Sequence, residues 1–344
     1  MKALVIHAAK DLRIEEREVS KPKAQELLVN VAVGGICGSD LHYYNHGGFG
    51  PVSLKEPMIL GHEVSGYVAE LGSDVTGVAV GDRVSVSPSR PCGRCEYCMA
   101  GLHNHCMDMR FYGSAMPTPH IQGAFRQQLI VHRSQCVNAN KISDAEAAMA
   151  EPFSVALHAT KRAGDLLGKR VLVTGCGPIG VLAIIAARRA GAAEIVATDL
   201  SANPLQIAKR CGADSVLNMA ESPSALQPFS NAKGFFDVMY ECSGSEHAIR
   251  GGIAALRPRG ILTQLGLGGD MTLPMMQITA KEIDVRGSFR FHAEFRLAVE
   301  LMASGLVDVT PVITHTEDME NAEAAFMIAN DRAVAMKTQI RFAV

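Results

Sequence analysis

The chain has 344 residues, 48% of them hydrophobic and 20% charged, with a formal net charge of −2. That length exceeds one ordinary hydrophobic core and predicts two domains. The near-neutral charge argues against a nucleic-acid or anionic membrane partner, which would want a basic face.

There is no run of about 18 uninterrupted apolar residues, so no membrane span is expected. The most apolar segment, VLAIIAARRAGA, is broken by Arg188 and Arg189. The start MKALVIHAAKD carries an apolar run too short for a signal-peptide core. Nine cysteines without such a signal predict a reducing, cytoplasmic setting.

In chain order, residues 1–145 read as short β-branched runs broken by glycine: ELLVNVAVGGICG, EVSGYVAELG, DRVSVSP. These predict strands of an irregular barrel. Residues 146–281 alternate strand and helix: KRVLVTG, PIGVLAIIAARRAG, AEIVATD, NPLQIAKRCGA, FDVMYEC, SEHAIRGGIAALRPRG, ILTQLG. That alternation predicts βαβ units and a parallel sheet. From 282 to 344 strand-like runs return in EIDVRGSFRF and AMKTQIRFAV, with helical FRLAVELMASG and NAEAAFMIAN between them. The expected architecture is α/β: a β-rich domain of residues 1–145 plus 282–344, with a doubly wound domain of 146–281 inserted into it.

Within the first domain, a lobe of about residues 90–110 carries Cys92, Cys95, Cys98 and Cys106, spaced by two, two and seven residues. Thiolates on so tight a loop can meet at one centre, and an all-sulfur tetrahedral cage suits a structural zinc. The alternative is a pair of disulfides, which the absence of a secretion signal disfavours.

The predicted strand VLVTG ends in Gly175-Cys176-Gly177-Pro178-Ile179-Gly180, and a helix follows. The first glycine allows the tight turn, the second lets backbone approach a pyrophosphate, and the third lets helix and strand pack closely. Pro178 suits a first helical turn, and the helix N-terminus offers free N–H groups to phosphate. The next strand ends in Asp199, a carboxylate placed to accept ribose hydroxyls and to repel a 2′-phosphate. No Arg or Lys follows immediately, which favours NAD while leaving NADP open.

Three smaller motifs carry metal-ligand chemistry: Gly35-Ile36-Cys37-Gly38-Ser39-Asp40-Leu41-His42-Tyr43, Gly61-His62-Glu63, and Ala150-Glu151-Pro152-Phe153. Read singly, a cysteine in a glycine-rich turn is as well a small buried hydrophobe, and a His-Glu pair a plain hydrogen bond.

Together with the sulfur cage and the dinucleotide turn, the set resembles the zinc-dependent medium-chain dehydrogenase/reductase superfamily of alcohol and polyol dehydrogenases, over essentially the whole chain. The resemblance implies a GroES-like catalytic domain, a Rossmann domain and a cleft between them. It implies a second, catalytic zinc on Cys37, His62 and Glu151, with Glu63 either a ligand or a neighbour of the ligands. It implies a proton relay through Ser39 and His42. It also implies a homo-oligomer, dimer or tetramer. The segments GGICGSDLHYY, PCGRCEYC, MDMRFYGSAM and KEIDVRGSFRF are similar to those of dehydrogenases acting on the sugar acid L-idonate, neighbours of the sorbitol dehydrogenases.

The polyol relatives point to Tyr43, Phe111 and Arg290 as substrate contacts, and Arg110 is a second candidate partner for a carboxylate. The implied reaction is NAD(P)-linked oxidation of a secondary alcohol of a sugar acid or polyol to the ketone, most specifically L-idonate to 5-dehydro-D-gluconate. Sorbitol-, xylitol- or threonine-type activity is the alternative on the same scaffold. A zinc-independent reductase would not need Cys37, His62 and Glu151. A zinc-ribbon nucleic-acid-binding protein would not need the dinucleotide turn.

Overall fold

The computed structural model describes residues 1–342. The final Ala343 and Val344 of the run predicted as the last strand lie outside the described residues.

Two large sheets organise the chain. The first has seven strands and holds Glu26–Gly35 near its middle. Glu63–Leu71 pairs antiparallel with one edge of Glu26–Gly35. Gln128–His132 and Lys337–Arg341 share its other edge, also antiparallel. Arg83–Val86 and Cys136–Asn138 extend the sheet outward, and Ile313–Asp318 adds beside Lys337–Arg341 in parallel. Valines and leucines alternate with more exposed residues early in Glu26–Gly35, and the strand becomes wholly buried where it approaches the second domain.

The second sheet is parallel, with strands in the order Ser215–Asn218, Glu194–Asp199, Arg170–Thr174, Phe236–Glu241, Leu256–Gln264, Asp284–Gly287. Its inner strands Glu194–Asp199, Arg170–Thr174 and Phe236–Glu241 are buried on both faces, which explains their largely apolar sequences. Val171 and Val173 face the core formed with helices Ala150–Ala163, Pro178–Arg189 and Ala202–Arg210, while Leu172 faces helix Glu246–Ala255. The strand order reverses between Arg170–Thr174 and Phe236–Glu241, the place where doubly wound sheets open a crevice for a nucleotide.

One boundary differs from the sequence expectation. The run placed at the return of the β-rich domain supplies Asp284–Gly287, which pairs parallel with Leu256–Gln264 as the sixth strand of the dinucleotide sheet. Its crossover is the short helix Met275–Ala280, too brief to show a helical period. Phe291 and Phe295, with helix Glu294–Ala303, pack into the same core as the dinucleotide domain. The chain re-enters the first domain later, through Ile313–Asp318 and Lys337–Arg341.

Candidate metal centres and dinucleotide cleft

Three element ends meet where the two domains touch. Strand Glu26–Gly35 runs out at Cys37, the residue that caps helix Gly38–His46. His62 directly precedes strand Glu63–Leu71, and Glu151 lies in the first turn of helix Ala150–Ala163. The helix start at Cys37 is fixed by Asp40, whose Oδ2 accepts the Cys37 N–H at 2.9 Å. Asp40 Oδ1 accepts the Gly61 N–H at 3.0 Å, so one buried carboxylate ties the cysteine turn to the histidine turn. The capping-box spacing could have revealed this residue, since an acid at the third helical position reaches back to the cap.

Ligand atoms of Cys37, His62 and Glu63 all lie within 4.8 Å of one another. Glu151 stands outside that set. Glu63 joins the cysteine and histidine because it follows His62 directly on the strand, while the charges of His62, Glu63 and Cys37 all act on the expected ligand Glu151. Glu63 is also paired, with both its oxygens accepting from Lys337 Nζ at 2.9 and 2.8 Å. Lys337 is buried and donates to the Ile36 carbonyl as well.

The donor set fits a divalent cation. His62 Nδ1 is buried without a hydrogen-bond partner, 3.8 Å from Asp40 Oδ1. Burial, then the charge of Glu63, pushes the Cys37 thiol up to about 11. Burial likewise pushes the Glu151 carboxyl up to about 8, opposed by His62. Buried acids held in their neutral forms become anionic ligands when a metal supplies the compensating charge.

Cys92, Cys95, Cys98 and Cys106 form a second set with ligand atoms within 4.8 Å of one another. The Cys92 N–H donates to Cys106 Sγ at 3.1 Å. Backbone N–H groups of Met107 and Cys98 hold the Cys95 thiol down at about 6, whereas burial lifts Cys98 to about 12. Four sulfurs, with no other His, Cys, Asp or Glu in the set among the described residues, suit a closed tetrahedral zinc site.

At the dinucleotide turn, Gly175 has φ +84 and carries the chain from strand into helix Pro178–Arg189. A Cβ on Gly180 would lie 1.9 Å from the Gly175 carbonyl, so only glycine lets this helix pack so closely. Gly177 caps the helix, and Pro178 and Ile179 open it. Asp199 Oδ2 accepts the Cys176 N–H at 2.7 Å, and Oδ1 accepts from Leu200 and Ser201. The carboxylate thus braces the glycine turn from the end of the neighbouring strand. Across the crevice, Glu241 accepts the Ser243 and Gly244 N–H groups and shapes the opposite strand end. No motif marks Glu241 in the sequence.

The expected substrate residues divide. The Phe111 ring lies 5.4 Å from that of His62, and the Arg290 guanidinium lies 4.3 Å above the Phe111 ring. Burial pulls the Arg290 pKa down, countered by the charges of Glu151 and Tyr43. The buried Tyr43 hydroxyl accepts the Ala115 N–H at 3.0 Å. Ser39 is half-buried beside Cys37. His42 lies on the open side of its helix, where partial burial, His46 and Arg332 lower its pKa. Arg110 does not join this group. It precedes Phe111 in a two-residue strand, so its side chain leaves the opposite face, into a groove with Arg90 and His132. Its expected role as a substrate partner is withdrawn on that geometry.

The fold and the two donor sets define a zinc-dependent, dinucleotide-linked dehydrogenase. Residues 23–141 match the alcohol dehydrogenase GroES-like domain and residues 178–304 the zinc-binding dehydrogenase domain, and the chain belongs to this alcohol dehydrogenase family. It is 43% identical over 317 residues to L-idonate 5-dehydrogenase (NAD(P)(+)) of Escherichia coli (strain K12), covering 92% of this chain and 91% of that one. It is 39% identical over 329 residues to sorbitol dehydrogenase of Gallus gallus, covering 94% and 92%. The crystal structure of the E. coli L-idonate 5-dehydrogenase superposes with a TM-score of 0.95 at 40% identity, covering 99% and 98%. The family uses zinc with NAD or NADP, and the two donor sets fit two zinc ions per chain.

Proposed function

We propose that this enzyme oxidises a secondary alcohol of a sugar acid to the ketone, with L-idonate to 5-dehydro-D-gluconate as the reaction. The observation that supports it best is Arg290. It is a half-buried guanidinium beside the Cys37–His62–Glu63 set, and no carboxylate lies in ion-pair distance among the described residues. A guanidinium stacked on Phe111 and Phe289 leaves its N–H groups in the plane between the rings, where the one partner is the weak acceptor Met116 Sδ, 3.6 Å from Nη2, which a carboxylate can displace.

Zinc held by Cys37, His62 and Glu63 would polarise the substrate hydroxyl as a Lewis acid, and the nicotinamide would take the hydride. The chain's own residues do the rest. Arg290 anchors the acid end, and Phe111 and Tyr43 wall the site against water. Asp40 holds the His62 turn. Ser39 Oγ and the imidazole of His42 pass the hydroxyl proton outward, and the lowered pKa of His42 keeps it free to accept. The charge of Glu151 acts on Arg290, and those of His62 and Cys37 act on Glu151, so its carboxyl links the metal set and the substrate anchor electrostatically. Asp199 favours NAD by accepting ribose hydroxyls.

A neutral polyol is the second reading. Sorbitol dehydrogenase of Gallus gallus matches the chain over a similar share, and a guanidinium also donates to hydroxyls. The test is NADH or NADPH formation with L-idonate, sorbitol, xylitol, L-threonine and ethanol. Turnover of L-idonate alone supports the acid reading, and preferred turnover of sorbitol or xylitol replaces it.

The same proposal makes the enzyme a cytoplasmic homo-oligomer. Val285 on the edge strand of the dinucleotide sheet is exposed, with Met275 and Met276 exposed on the helix that leads to it. Among the described residues no helix is long and apolar enough to cross a membrane.

A further inference from the structure

Most arginines of this chain sit on an acid or a carbonyl: Arg83 on Asp144, Arg188 on Asp214, Arg257 on Asp237, Arg286 on Asp284. Several others have no such partner among the described residues, and three of these, one of them with a buried Nε, share one cavity. Arg90, Arg110 and Arg126 line a space of about 260 Å³ on the opposite side of strand Arg110–Phe111 from the Phe111 ring. None of the three guanidiniums makes a hydrogen bond or ion pair among the described residues. Arg126 Nε is buried with no partner at all, and burial pulls the Arg126 pKa down.

The other polar groups of the cavity are already used. Tyr112 donates to the Ile130 carbonyl, and His120 engages the Lys55 N–H and the Pro117 carbonyl. Gln122 accepts the Ile59 N–H. The one acid in the lining, Glu26, accepts the Lys23 N–H. An adjoining groove adds Lys23 and Arg94, together with one further acid, Asp108, and neither cation is within ion-pair distance of a carboxylate among the described residues. Like charges brought together in a partly desolvated space destabilise each other, and an unmade hydrogen bond at a buried cation carries a full desolvation cost. An oxyanion removes both costs.

We propose that this cavity is a binding site for a small polyvalent oxyanion, of the phosphate or polycarboxylate kind, separate from the dinucleotide and substrate sites. The strand Arg110–Phe111 lies between the two, so the occupant sits behind the wall of the substrate site.

The test is titration calorimetry on the zinc-loaded enzyme saturated with NADH, which occupies the phosphate-binding turn. Inorganic phosphate and citrate are titrated separately against chloride at equal ionic strength, and the two arms distinguish the sources. We expect saturable binding of one of them at one per chain. Arg126→Leu should weaken it at least about tenfold, the loss of a charge-assisted hydrogen bond. Because that substitution is partly buried, the exposed pair Arg90→Gln/Arg110→Gln is measured beside it and should weaken binding likewise. Absence of saturable binding by either anion overturns the site, as does equal affinity in the wild type and the exposed double variant. A fall in molecular mass of the double variant by light scattering, with no anion binding to the wild type, would assign the groove to a second copy of the chain instead.

Discussion

Asn104 donates its side-chain amide to the backbone carbonyl of Phe289 at 3.0 Å, across 185 residues of sequence. Asn104 is buried within the four-cysteine lobe, two residues before Cys106. Phe289 is the neighbour of Arg290. The rings of His103 and His292, from the same two segments, stack on each other with centroids 4.1 Å apart. The lobe thus clamps the segment that presents the proposed substrate anchor, and Arg290 itself sits at φ +54, a conformation that needs such support. Asn104→Ala should raise KM for L-idonate by about fivefold, the worth of one hydrogen bond, with kcat less affected. Steady-state kinetics with Asn104→Gln as the conservative control would check it. Equal loss of kcat and affinity would mean general damage to the lobe.

Arg290→Leu separates the acid reading from the polyol reading. Removing a guanidinium that binds a carboxylate costs on the order of a hundredfold in kcat/KM. We expect that loss with L-idonate and a much smaller one with sorbitol. Matching losses on both substrates would end the carboxylate assignment.

Lys337 and Glu63 form a buried ion pair, with no other carboxylate in ion-pair distance of Lys337 among the described residues. Lys337→Met leaves Glu63 charged and uncompensated, which should destabilise the metal-free protein by about 3–5 kcal/mol. The double variant Lys337→Met/Glu63→Gln should recover a large part of that. Urea unfolding of the chelated forms measures both. A double variant no more stable than the single one contradicts the pairing.

Zinc content offers an independent check on the two donor sets. Mass spectrometric metal analysis should find two zinc ions per chain. Cys98→Ser should lose one of them and lower thermal stability. Glu63→Gln should weaken the other, and Glu151→Gln should weaken it less, because Glu151 lies outside the close set. The opposite order would restore Glu151 as the ligand.

Glu294 predicts an acid limb of stability. Burial alone would raise its pKa, but His158, the His292 N–H and Lys161 override that and hold the carboxyl well below the usual range. A depressed folded pKa means the unfolded chain binds the proton more readily. The stabilisation is therefore complete above the unfolded value of about 4.3 and fades as pH falls toward the folded one. Glu294→Gln should be less stable than wild type at pH 7, and the gap should narrow in acid. A gap that stays constant with pH would rule this out.

The metal and dinucleotide motifs were legible because their chemistry is local. Four cysteines within fifteen residues, or a glycine turn between a strand and a helix, need no distant partner to be recognised. Arg290 was found by resemblance, and the structure adds its lack of an acidic partner. What the residues could not announce depends on distance or direction. Lys337 reads as one more cation in a strand, and only pairing of that strand with Glu26–Gly35 brings it to Glu63. Arg110 and Phe111 are adjacent letters that diverge by strand alternation. The strand Asp284–Gly287 changed domain because its crossover helix is too short to carry a period.

Pairing of Lys337–Arg341 with Glu26–Gly35 also has a kinetic side. The two strands flank the complete dinucleotide domain in sequence, and Glu63 meets Lys337 across 274 residues. Contacts so remote form only after the entropy of closing that loop has been met, and a folded insert brings its own ends together and reduces the cost. The parallel sheet is therefore expected to assemble first, with closure of the seven-stranded sheet as the late event that completes the Cys37 centre. Refolding followed by stopped-flow should show nucleotide binding recovering before zinc uptake at that centre.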